Sequence, residues 1–161
     1  MRNKKVSNRG FTLIEMLIVV AIIGILSALI LVGLSSFRMR GRDARRIADV
    51  KQVQNALEIY YTKNLKYPTV NGGAADTRWD DLTTQITGAG VGISQLPKDP
   101  LSSDPYLYDY QSCNNNQNYV IGVKLEDVNN TALRDSITGT SSGSCSFGSI
   151  TCTSPEYCVM F

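Results

Sequence analysis

Arg9-Gly10-Phe11-Thr12-Leu13-Ile14-Glu15 stands between a basic start and a long apolar run. From residue 11 to residue 34 only Thr12, Glu15 and Ser27 are polar. As a helix rising 1.5 Å per residue, this stretch would extend roughly 36 Å, enough to cross a hydrocarbon core of about 30 Å. The preceding segment carries Arg2, Lys4, Lys5 and Arg9 and no acidic residue, the pattern of a cytoplasmic flank. A secretory signal peptide fits poorly, because its apolar region would run about 7–15 residues and end at a small-residue cleavage site. Here the small residue, Gly10, precedes the run.

Glu15 is the anomaly in this segment. A charged side chain at the centre of a membrane helix costs about 2.5–3.5 kcal/mol on insertion scales. One reading is snorkelling, since Glu15 lies only roughly 6 Å along the helix from Phe11. The other is a partnership between chains. Cleavage after Gly10 would give Phe11 a new amino group, and that cation would pair with Glu15 of a neighbouring subunit in lipid, where each charge alone is expensive.

Over residues 8–34 the chain resembles the type III leader and N-terminal helix of type IV pilins and type II secretion pseudopilins. The resemblance implies that a prepilin peptidase cuts between Gly10 and Phe11 and that Phe11 becomes N-methylated. It also implies that Glu15 aids addition of subunits to a helical filament. Many members carry a proline late in the membrane segment. This chain has Val32 there, followed by Gly33.

Composition narrows the remaining choices. The formal charge is +2, but removing residues 1–10 with their four basic side chains leaves 12 basic against 14 acidic residues. The basic balance therefore belongs to the leader, and direct nucleic-acid binding is not expected. There is no histidine, which removes the commonest general base and the commonest metal ligand. No nucleophile motif or P-loop is present, so the chain is read as a non-enzyme without a cofactor. Cys113, Cys145, Cys152 and Cys158 all follow the apolar run, on what would be the exterior side, where disulfides persist. Four cysteines allow three pairings, and their spacing lacks the paired C-x-x-C of a structural zinc site.

Beyond the apolar run, Ile47, Val50, Val53, Leu57 and Tyr60 or Tyr61 recur at helical spacing, with Asp49, Lys51, Gln52, Gln54 and Glu58 opposite. Pro68 ends the pattern. Arg38, Arg40, Arg42, Arg45 and Arg46 cluster just past the run. They read as a solvated face at lipid headgroups, or as partners of Asp43 and Asp49 on adjacent subunits. Trp79-Asp80-Asp81-Leu82 begins a short helical turn, with Asp76 or Asp80 as its cap. Leu96-Pro97-Lys98-Asp99-Pro100 is a rigid turn. Alternation predicts a strand through Tyr106, Tyr108 and Tyr110, a turn at Asn114-Asn115-Asn116, and a strand through Tyr119, Ile121, Val123 and Leu125. Together they form a hairpin with one apolar face for the helix. Residues 129–154 read as a cysteine-held loop, and residues 157–161 as a terminal strand.

The Leu96-to-Pro100 turn with Tyr106-Leu107-Tyr108 resembles major pseudopilins, in which a later acidic loop often binds calcium. Here residues 138–154 hold no aspartate or glutamate, so no metal site is expected, and Asp99, Asp104 and Asp109 read as turn or solvent residues.

The expected fold is α+β: a leader (1–10), a transmembrane helical segment (11–34), the soluble half of one long helix (35–67), and a small head with an antiparallel sheet (68–161). The expected function is a structural subunit of a type IV pilus or a type II secretion-like pseudopilus. Its partners would be further pilin or pseudopilin subunits, the prepilin peptidase, an assembly platform protein and its ATPase, and the membrane. The precursor would sit single-pass in the inner membrane with its leader in the cytoplasm, then join a periplasmic or cell-surface filament. The alternative is a monomeric membrane-anchored binding module.

Overall fold

The structure, a computed structural model, describes residues 10–70, 72–142, 145–146 and 150–161, with backbone only at 29–33, 141–142 and 145–146. The leader residues 1–9 lie outside the description. Helix α1, Leu13–Asn64, takes up most of the first third of the chain. It starts where the sequence supplies a reciprocal cap. The Thr12 amide donates to Glu15 Oε2 (2.7 Å) and the Glu15 amide donates to Thr12 Oγ1 (3.3 Å), the S/T-x-x-E arrangement that satisfies orphan N–H groups at a helix start. It stops at Leu65, whose φ of 56° is left-handed and whose amide donates to Tyr61 O at 2.8 Å.

The chain divides into two compact units, one ending at Arg38 and the other spanning Met39–Phe161. In the first, the apolar side chains from Phe11 to Leu26 are exposed. No helix among the described residues is long and apolar enough to cross a membrane. The expected span at 11–34 includes positions 29–33, whose side chains lie outside the description.

The second unit is an α+β head. Helix α2, Ala75–Gly88, is followed by strands β1, Asp109–Cys113, and β2, Asn118–Lys124; then come β3, Ser141–Ser142, β4, Cys145–Ser146, and β5, Glu156–Met160. The main sheet is antiparallel in the order β1-β2-β5, with Cys113 opposite Asn118 and Lys124 opposite Glu156. The hairpin turn carries three consecutive left-handed residues, Asn114, Asn115 and Asn116, a conformation asparagine tolerates better than most side chains. The core joins Val50, Val53, Ala56 and Leu57 of α1, Trp79, Leu82 and Ile86 of α2, and Tyr110, Tyr119, Ile121 and Val123 of the sheet.

Four local expectations change. The strand starts at Asp109, not Tyr106; Tyr106 forms only an isolated bridge with Ser103. Helix α2 starts before Trp79, and its N-cap is Ala74, whose methyl cannot accept a capping hydrogen bond; buried Arg78 in its first turns is tied to β1. The tail contains a 3-10 turn, Thr131–Asp135, and the β3–β4 ribbon rather than loop alone. Finally, β2 is covered on both faces. Val120 packs with Ile150, Cys152 and Cys158 in a second small core, flanked by Cys113, Ile137 and Met160.

Gly122 sits under that cover. A Cβ there would lie 2.7 Å from Ile150 Cγ2 and 3.3 Å from Glu156 Oε1. Gly122→Ala is therefore expected to destabilise the head by about 1–3 kcal/mol through overpacking, read as a lower melting temperature. An unchanged melt would show that Ile150 does not seat on β2 as described.

Candidate functional site

Three places on the chain carry the residues singled out by sequence. At the N-terminal end, Gly10, Phe11 and Glu15 are all exposed. The Glu15 carboxylate is engaged within its own chain: Oε2 accepts from the Thr12 amide and from the Thr12 hydroxyl, both at 2.7 Å. Thr12 was not among the expected site residues. Its three-residue spacing to Glu15 is the signal that identifies it.

The second place is the arginine cluster, which divides: Arg38, Arg40 and Arg45 are exposed, as expected of a solvated face, whereas Arg42 and Arg46 turn into the head. Arg46 is fully buried. Its guanidinium donates two bonds to Asp99, from Nε (2.5 Å) and Nη2 (3.0 Å), and Nη1 donates to Asp43 and Glu126, each at 2.7 Å. Arg42 donates a second bidentate pair to Glu126, at 2.7 and 2.5 Å. The ring of Tyr106 lies 4.8 Å from the Arg46 guanidinium carbon, within cation–π range. Asp43 also accepts the amides of Glu126 and Asp127 at 3.0 and 2.9 Å. Asp49 accepts from the Tyr108 hydroxyl at 2.8 Å and lies 3.8 Å from Arg45. Asp43 and Asp49 are thus partners within the chain, and pairing across subunits is not needed to compensate Arg42, Arg45 or Arg46. Asp99 and Asp109 are not solvent residues either. Asp99 is buried on Arg46, while its Oδ1 also accepts from the Leu101 amide at 2.8 Å. Asp109 is buried on Arg78.

The energetics follow from burial. Desolvation alone would lower the pKa of Arg46, but its bonds to Asp99, Glu126 and Asp43 outweigh this and raise it. Hydrogen bonds from Arg42, with those from Arg46, hold Glu126 down to about 2 against the opposing effect of burial. Burial, then the bond to Asp49, pushes the Tyr108 hydroxyl up, keeping it a neutral donor. No buried side-chain nitrogen or oxygen among the described residues lacks a partner. The hub is therefore a satisfied one, and it fastens α1 to the Pro97–Pro100 turn and to the end of β2.

The third place is the cysteine-bearing tail. Cys152 and Cys158 form a disulfide. Cys113 is disulfide-bonded as well, and the side chain of Cys145 lies outside the description. Among the described residues, no group of three or more His, Cys, Asp or Glu is placed to hold a metal ion. Residues 143–144 and 147–149 lie outside the description, but residues 138–154 carry no carboxylate, so their donors do not suit a hard cation.

Similarity to known proteins coincides with these features. The family described as Prokaryotic N-terminal methylation motif matches residues 5–31. The chain is 32% identical over 103 residues to type II secretion system core protein G of Escherichia coli (strain K12), covering 62% of this chain and 70% of that protein. It is 33% identical over 105 residues to the same-named protein of Vibrio cholerae, covering 64% and 70%. Against that of Pseudomonas aeruginosa it is 38% identical over 107 residues, covering 62% and 71%. No solved structure matches the chain.

Three outcomes are expected. Arg46→Met leaves Asp43 and Asp99 buried without their cation and should cost about 3–5 kcal/mol in unfolding free energy; a loss below 1 kcal/mol would show that the hub is not closed. In the wild type, Glu126 has a depressed folded-state pKa, so its contribution is complete above the ordinary carboxylate range and is lost as pH falls toward about 2. Denaturation across that window should show stability declining with acid, with a shallower decline in Glu126→Gln. In the tail, peptide mapping without reduction should recover Cys152 joined to Cys158 and Cys113 joined to Cys145, the pairing that remains. Free thiols at these positions in protein from its native compartment would contradict the mapping.

Proposed function

The chain belongs to the family of type II secretion system core protein G, and from that premise we propose how its N-terminal motif serves assembly. It is a structural pseudopilin subunit and not an enzyme. Its partners belong to the secretion machinery, and its setting is the inner membrane and the periplasmic pseudopilus. The finer reading is that a prepilin peptidase cuts between Gly10 and Phe11 and that Phe11 is then N-methylated. Residues 11–34 hold the subunit in the membrane, with the head outside, until a platform protein and its ATPase add it to the filament.

The observation that carries this reading is the position of the Thr12–Glu15 box beside Gly10 and Phe11. A lone carboxylate in lipid is costly, and Thr12 lowers that cost by donating both its amide and its hydroxyl to Glu15. After cleavage, the Phe11 ammonium of a neighbouring subunit is a stronger partner, because it brings the opposite charge. Glu15 would then exchange an internal neutral donor for an external cation, which favours the assembled state over the stored one.

The test compares filament yield at equal membrane abundance. Glu15→Ala is expected to insert normally and to assemble poorly, because the neighbour's amine would enter the apolar filament core unpaired. Glu15→Asp, which shortens the reach, should fall between. Equal filament yield from Glu15→Ala would reduce Glu15 to a helix cap. Separately, a bulky residue in place of Gly10 should leave uncut precursor in the membrane fraction, since the cutting enzyme must approach the backbone closely; mature-size protein from that variant would refute the cleavage assignment.

A further inference from the structure

The turn after β2 holds a pattern that neither the core nor the N-terminal motif uses. Asp127-Val128-Asn129-Asn130-Thr131 reads acidic–x–Asn–x–Thr. Asn-x-Ser/Thr without proline between is the acceptor pattern for N-linked glycosylation, and bacterial oligosaccharide transferases favour an acidic side chain two residues before the asparagine. Of all the asparagines in the chain, Asn129 alone has Ser or Thr two residues on.

The structure presents the pattern outward. Asn129 and Thr131 are exposed, and Val128 between Asp127 and Asn129 is 59% exposed. The Asn130 amide donates to Asp127 O at 3.0 Å, closing a turn, and Asp127 Oδ1 accepts from the Asn129 amide at 3.0 Å. The neighbouring asparagine is occupied, since Asn130 Oδ1 accepts from the Ala132 amide at 3.0 Å and caps the 3-10 turn. The turn itself is fixed, because Asp43 holds the amides of Glu126 and Asp127.

We propose that Asn129 is an N-glycosylation acceptor that takes its sugar from a polyprenyl-diphosphate-linked oligosaccharide. Asn129 Nδ2 forms a bond to the anomeric carbon and gives up one proton to solvent. The bond from that carbon to the diphosphate oxygen breaks, and the polyprenyl diphosphate leaves, so no oxidant or reductant is involved. The assignment rests on the exterior placement of the head given under the proposed function.

The experiment weighs the Asn129-containing peptide of the full mature chain purified from the cells that make it. A glycan increment on Asn129 is expected. Asn129→Gln and Thr131→Ala should each abolish it, while Thr131→Ser and Asn130→Gln should keep it. Asp127→Glu should keep it as well, and Asp127→Asn should lower occupancy tenfold or more. An increment that survives Asn129→Gln overturns the proposal. Unmodified Asn129 in the wild type overturns it too, and protease added to intact spheroplasts separates the reasons: a digested head means the acceptor assignment fails, a protected head means the exterior placement fails.

Discussion

The guanidinium of Arg46 is the constraint on which the head depends. It is fully buried and binds three carboxylates from three parts of the chain: Asp43 one helical turn away, Asp99 in the proline turn, and Glu126 at the end of β2. A buried arginine with one partner removed is worth far less than a hydrophobic side chain, so the hub is all-or-none. Its closure requires that the segment carrying Asp99 and the turn carrying Glu126, just past β2, both be in place. The apolar core of α1, α2 and the sheet supplies the driving force. The hub fixes which turn of α1 meets which loop, a role that a non-directional apolar contact cannot fill.

In the N-terminal unit the charge of Glu15 is met in a different way. Arg46 is compensated permanently inside its own head. Glu15 is compensated by Thr12 through neutral donors only, which leaves a stronger partner to be found between chains. That contrast separates a residue that holds a fold from one that, under the proposed function, serves assembly. Of the arginines past the apolar run, Arg42, Arg45 and Arg46 are each paired with carboxylates once the head folds.

Much of the fold is legible in local patterns. The stripe of Val50, Val53 and Leu57 faces the core as its spacing requires. The Asn114-Asn115-Asn116 turn joins two antiparallel strands, and residues 156–160 add a third. What sequence spacing leaves hidden depends on distant partners. Arg46 looks like one more exposed helix arginine until Asp99 and Glu126, 53 and 80 residues away, are brought to it. Helix α2 begins in a glycine-rich stretch, and its Arg78 is buried only because Asp109, 31 residues away, is brought to it. The outer face of β2 looks polar-facing until Ile150 and the Cys152–Cys158 bridge cover it. Thr12 differs from these, because its partner is three residues away; a reading of Glu15 by membrane cost alone passes over it.

The central claim is that this chain matures at Gly10 and joins a filament through the end so created. Mass spectrometry of subunits recovered from assembled filaments tests it most directly. The account requires an N-terminal peptide that begins with N-methylated Phe11 and contains an unmodified Glu15. A peptide beginning at Met1 in filament-derived subunits would contradict it.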